Sequence, residues 1–331
     1  MYSIRTKIKQ LFIAGFNGPS IKNNEIFVNL LKDGLGGVIF FTQNIVSQEQ
    51  VCRCIEDIKN VSLIMPFISI DQEGGRVERT ENIHGGKKYL SAKDAAQKGM
   101  YFLCNQTREL CEELVSYGFN MNFAPVLDTN TNPDNPIIGV RAYGDNPNDV
   151  IKFSDKVIDI HKKYNLIAVG KHFPGHGDTK TDSHIEMPIV DLSKSEMEQT
   201  HLMPFEYAIN NGIDAIMVAH VYYTCFDSEP IPASLSKNVI TKLLRNELNF
   251  DGLVISDDMV MGAVNSDGDN TQTYIKALKS GINMFIYRYS DTNLEKILYN
   301  IENLAQNDNE LFEAINRSYQ YVMTLKDKYR L

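Results

Sequence analysis

Eight short apolar runs recur along the chain, at residues 11–16, 37–41, 63–70, 121–127, 166–170, 215–220, 253–256 and 283–287. Most are continuously apolar rather than alternating, the pattern of strands buried on both faces of a parallel sheet. Between them the apolar spacing changes to that of helices. Phe102, Leu103, Leu110, Leu114 and Val115 make one stripe over residues 102–117, and Gly118 ends it. Ser193 and Glu196 have capping-box spacing ahead of Met197, Phe205, Ala208 and Ile209, with Gly212 as the stop. Ser236 is placed to cap a helix carrying Val239, Ile240, Leu243, Leu244 and Leu248. A last helix over about residues 309–326 is expected on the outside of the fold. Strand and helix alternating eight times predict an α/β fold of the (β/α)8 TIM-barrel type, with a doubly wound open sheet as the alternative. No Pro/Ser-rich linker, low-complexity tract or repeat divides the chain, so one domain over residues 1–331 is expected.

Composition narrows the partners. The chain has 331 residues, 43% hydrophobic and 23% charged, as in ordinary soluble globular proteins. Its 33 basic and 42 acidic residues leave a charge of -9, which argues against a nucleic-acid partner, because phosphate contacts supply most of that affinity. The five cysteines, Cys52, Cys54, Cys104, Cys111 and Cys225, form no C-x-x-C pair and read as reduced structural thiols. The apolar stretch at 11–16 is too short for a secretory segment, and no run approaches the ~18 residues of a membrane span. A cytoplasmic monomer with no membrane contact is expected.

Polar clusters follow the apolar runs. Asp71-Gln-Glu-Gly-Gly-Arg-Val-Glu-Arg79 follows Ile70, Asp128 and then Arg141 follow Leu127, and His220 follows Ala219. Asp257 and Asp258 follow Ser256, and Gly170 opens into Lys171-His-Phe-Pro-Gly-His-Gly-Asp-Thr-Lys-Thr-Asp-Ser-His184. Barrel enzymes build their sites on that rim, from the loops after the strands. Asp257 ends so apolar a run that its carboxylate must act as nucleophile, base, metal ligand or ion-pair partner. Asp258 could simply cap the next helix. Asp182 and His184, two apart, form a tunable acid/base pair if the aspartate orients the imidazole. His172, His176, Asp178, Asp182 and His184 could also ligate a metal, but their spacing matches no strong metal signature.

The segment Lys171 to Thr179 with Asp182-Ser-His184 resembles the glycoside hydrolase family 3 β-N-acetylglucosaminidases. So do Asp71 to Arg79, Asn122-Phe-Ala-Pro-Val-Leu-Asp128 with Gly139-Val-Arg141, and Ile255-Ser-Asp-Asp-Met259. The resemblance spans about residues 11–285. It implies a (β/α)8 barrel and a retaining mechanism with a covalent glycosyl-enzyme intermediate. It makes Asp257 the nucleophile, His184 the general acid/base and Asp182 its orienting partner. Asp71, Arg79, Arg141, Lys171 and His172 would hold N-acetylglucosamine, with no cofactor and no metal. The implied substrate is a small carbohydrate, above all a muropeptide fragment in peptidoglycan recycling. Phosphorolysis and hydrolysis of chitin oligomers are the nearest alternatives, and a metal-dependent barrel hydrolase or a sugar-binding module are remoter ones. The sequence departs from the family pattern at Gln43-Asn44 and over residues 80–88, both expected on the leaving-group side. Glycines on either side of His176 suggest that the loop from Pro174 to His184 moves during turnover.

Overall fold

The computed structural model describes residues 2–181, 187–264 and 270–331. Its strands are β1 (Phe12–Ala14), β2 (Gly37–Phe40), β3 (Phe67–Ile70), β4 (Met121–Asn122), β5 (Ile167–Phe173), β6 (Ile189–Val190), β7 (Ala215–Val218), β8 (Tyr222–Tyr223), β9 (Leu253–Asp258) and β10 (Met284–Tyr287). Eight of them close a barrel in the order β1-β10-β9-β7-β5-β4-β3-β2. Every pairing within it is parallel. Each of the eight apolar runs supplies one barrel strand, and the open-sheet alternative falls. The continuous apolarity has a direct cause: one face of each strand fills the barrel interior while the other packs under a helix.

The predicted caps form as their residues demand. Gly118 closes the helix Met100–Tyr117 at φ 102°, a left-handed conformation that a side chain would strain. Ser193 and Glu196 complete their capping box. Ser236 Oγ accepts from Val239 N at 3.1 Å. The pairing of β6 with β8, outside the barrel, was not expected. Two-residue strands carry no readable period, and Ile189 is 54% exposed.

The last helix, Asn309–Tyr329, packs on the outside of the barrel as expected, against the helices Ile4–Gln10 and Thr271–Ser280 and toward the N-terminal ends of the strands. Its side chains reach residues just before or at the starts of five strands. Ser318 bonds Asn283, Tyr321 bonds Asp251, Lys326 bonds Gln10 and sits over Phe67, and Tyr329 bonds Asp214. With that end closed, the C-terminal mouth is the open one.

Candidate active site

The mouth holds a cavity of about 180 Å³ whose charged lining residues come from five barrel strands or the loops after them. That is below the ~300–1,000 Å³ of sites for drug-sized ligands, and on the scale of one polar ring. Asp71, Arg79, Arg141, Lys171, His172 and Asp257 all line it. The strand-end rule therefore brought together residues that lie up to 186 positions apart (257 minus 71). Asp182 and His184 lie outside the described residues.

Lys171 is buried, its ammonium 2.6 Å from Asp71 Oδ1 and 2.7 Å from Glu73 Oε1. Arg141 grips both oxygens of Glu73, each at 2.8 Å, in the bidentate geometry that only a guanidinium supplies. Burial would raise the Glu73 carboxyl, but Arg141 and Lys171 outweigh it and hold it well below the usual carboxylate range. Glu73 is thus the anion that keeps two cations on the cavity wall, a part not assigned to it by sequence. Its membership of the cluster from Asp71 to Arg79 was the available signal.

Asp128 plays the matching part for the next element. Fully buried, it accepts from His176 N at 2.6 Å and lies 2.7 Å from His172 Nδ1. Burial raises its carboxyl and His172 lowers it, and the lowering wins. Arg141 Nη2 sits 3.3 Å from His172 Nε2. A guanidinium only donates, so Nε2 accepts and Nδ1 carries its proton toward Asp128. Arg79 is held more loosely, 3.9 Å from Asp71 and 5.9 Å from the Phe41 ring, with its Nε unpartnered among the described residues. Its side chain lines the cavity.

Asp257 sits on β9 with partial exposure to the cavity. Burial would raise its carboxyl, yet His172, His220, the Asp258 N–H and Lys171 outweigh burial and hold it at about 2. It is therefore a carboxylate at neutral pH, in a setting that stabilises charge. Asp258 is no simple cap. It pairs with Arg288 from the end of β10 and also accepts from Val260 N at 3.1 Å. Arg288 was missed, although it follows an apolar run as the other clusters do.

His176 shapes the loop while also lining the cavity. Its Nδ1 lies 2.8 Å from Thr179 Oγ1, and burial lowers its imidazole to about 4. The glycines beside it serve close packing. A Cβ on Gly177 would stand 1.7 Å from Thr129 O, and one on Gly175 2.7 Å from His201 Cβ. Asn132 and Asn135 bond Thr179 O, His176 O and Thr179 Oγ1, and Thr131 bonds Asp178. Residues 172–179 are thus tied to the segment after β4. Among the described residues no group of three or more His, Cys, Asp or Glu is arranged to hold a metal ion. Nor is any helix among them long and apolar enough to cross a membrane.

The glycosyl hydrolase family 3 N terminal domain model matches residues 3–325. The chain belongs to glycosyl hydrolase family 3. The family 3 barrel is 32% identical over 293 residues to the beta-hexosaminidase of Haemophilus influenzae, covering 86% of this chain and 81% of that one. It is 31% identical over 275 residues to beta-hexosaminidase A of Pseudoalteromonas piscicida, covering 76% of this chain and 45% of that one. The solved family 3 beta-N-acetylglucosaminidase of Paenibacillus sp. superposes with a TM-score of 0.91 at 33% identity, over 100% of this chain and 63% of that one. The chain therefore spans about half of the Pseudoalteromonas relative and under two thirds of the Paenibacillus one.

Proposed function

We propose that this barrel is a retaining exo-β-N-acetylglucosaminidase that removes a non-reducing terminal N-acetylglucosamine through a covalent glycosyl-enzyme intermediate. The observation that carries the reading is Asp257. It is an ionised carboxylate on the cavity wall, facing Lys171, His172, Arg141, Asp71 and Arg79. These five supply donors and acceptors for the hydroxyl and acetamido groups of one sugar, and Asp257 attacks its anomeric carbon. Most retaining glycosidases pair two carboxyl groups. Here His184, oriented by Asp182, takes the acid/base part. Its ordinary pKa of ~6.5 suits proton exchange near neutrality. It first protonates the leaving oxygen and then activates the water that releases the sugar. The proposal extends to muropeptide fragments as substrate and to a cytoplasmic monomer. Relatives named beta-hexosaminidase support the activity.

Turnover of an aryl β-N-acetylglucosaminide tests it. Asp257→Ala is expected to lose at least ~10³-fold in kcat, as loss of a nucleophile does elsewhere. Wild-type activity in that variant removes the nucleophile assignment. His184→Ala should slow substrates with poor leaving groups most, since those need protonation. Sugar 1-phosphate released in phosphate buffer would replace hydrolysis by phosphorolysis.

A further inference from the structure

The turn carrying Asp257 is held by groups that the chemistry above does not use. Asp257 Oδ1 accepts from Asp258 N at 2.8 Å, while its Oδ2 has no hydrogen-bond partner among the described residues. The residue supplying that N–H is anchored at its side chain and at its carbonyl. Arg288 Nε donates to Asp258 Oδ2 in a short ion pair, and Val260 N donates to Asp258 Oδ1 at 3.1 Å. His220 Nε2 lies 3.2 Å from Asp258 O, so that nitrogen carries the ring proton and donates. His220 Nδ1 then accepts from Ser234 Oγ, 2.7 Å away. His220 and Ser234 are fully buried and do not line the cavity. Burying a histidine and a serine costs desolvation that an apolar pair would avoid, and here their hydrogen bonds run to each other and on to one backbone unit.

We propose that His220, Ser234 and Arg288 are positioning residues that fix Asp258, through its carbonyl and its side chain, and so select the attacking oxygen of Asp257. Oδ1 stays on the Asp258 N–H, and Oδ2 is presented to the substrate. The inference rests on the reading of Asp257 as nucleophile. In the step, an Oδ2 lone pair forms the bond to the anomeric carbon while the bond to the leaving oxygen breaks. That oxygen keeps the electron pair and takes a proton from the general acid. Aspartate χ2 has a broad torsional well, so a carboxylate without the Oδ1 tether turns easily. Lys171 and His172, the other groups acting on Asp257, are held by Asp71, Glu73 and Asp128 instead.

The test compares His220→Ala, His220→Gln, Arg288→Met and Arg288→Lys. It measures kcat/KM on the aryl glycoside, inhibition by free N-acetylglucosamine, and the Asp257 carboxyl titration by carbon NMR in the ligand-free protein. His220→Ala and Arg288→Met are expected to lower kcat/KM by ~10- to 100-fold, the scale of a small misplacement, with inhibition by the sugar changed less than about twofold in His220→Ala, whose ring lies outside the cavity. Asp257 should titrate at higher pH in Arg288→Met, where the change reaches it only through Asp258, because a lost hydrogen bond to the charged form raises a carboxyl. Gln, whose amide nitrogen reaches toward the place of Nε2, and Lys, which keeps the charge, should recover most of the loss. Wild-type kcat/KM with an unchanged Asp257 titration overturns the proposal. So does sugar inhibition that weakens in parallel with kcat/KM in His220→Ala, which marks general distortion. A wild type with no turnover defeats the functional reading instead. The NMR titration then decides this proposal alone, and an unshifted Asp257 sinks it.

Discussion

Two lysines sit at opposite ends of the barrel, both shut away from water: Lys171 at 2% exposure in the mouth and Lys326 at 0% at the closed end. Lys171 lies between two carboxylates, at 2.6 and 2.7 Å. Lys326 has Gln10 Oε1 at 2.8 Å and the Phe67 ring at 5.1 Å, with no carboxylate in ion-pair range among the described residues. Burial alone acts on Lys326 and lowers its ammonium to about 7. A buried charge persists where opposite charges compensate its lost hydration, and elsewhere the group gives up its proton more easily. The mouth concentrates compensated charge, where a polar ligand can exchange with those contacts. The closed end holds a lysine mainly by its stem and one amide, as part of the packing.

The comparison can be broken most directly at Lys171. Lys171→Met removes the cation that half-buried Asp71 and the enclosed Glu73 carboxylate share. Breaking a buried pair costs ~3–5 kcal/mol, and loss of most turnover should accompany it. Urea midpoints and aryl glycoside assays check both, and a loss under ~1 kcal/mol would contradict the pairing argument.

Lys326→Met should act in the opposite direction. The ordinary value for lysine is 10.5, against about 7 here. Between those values the unfolded chain binds a proton that the folded one lacks, so the lysine's contribution to stability rises with pH across that window. Below it, the folded protein carries the charge at its full burial cost. The variant is therefore expected to melt a few degrees above wild type at pH 6, with the gain shrinking as the pH approaches 10. A gain independent of pH would remove the ionisation from the explanation.

The smallest effect belongs to the surface. Lys237 and Glu310 pair at 3.0 Å but are 60% and 55% exposed. Lys237→Ala should leave the urea midpoint at its wild-type value, since water and salt screen such pairs. A loss matching that of Lys171→Met would mean that burial does not govern these ion pairs.

Much of the fold was legible because its signals are local. Eight apolar runs marked eight strands, and Gly118, Ser193, Glu196 and Ser236 marked helix ends, each through backbone geometry within a few residues. The site was legible in part for the same reason: in a parallel barrel every strand end points to one rim, so clusters after the runs must meet. Arg288 follows that rule and could have been found by it. Glu73 could be placed in the site but not given its part, because its partners come from β5 and the loop after β4. What the helix Asn309–Tyr329 packs against was equally hidden, since an amphipathic stripe says that a face is buried and not what buries it.

Periodicity, capping and motif spacing, each read along a single stretch of chain, settle the strand count, the parallel architecture, the family and the residues gathered at the mouth. They leave open which charges compensate one another. The closed barrel places Glu73 under Lys171 and Arg141, Asp128 behind His172 and Arg288 on Asp258, and leaves Lys326 with an amide and a ring. The physical reason is range: hydrogen bonds and ion pairs are settled within a few ångströms, and residues far apart in the chain come that close only once the barrel has closed.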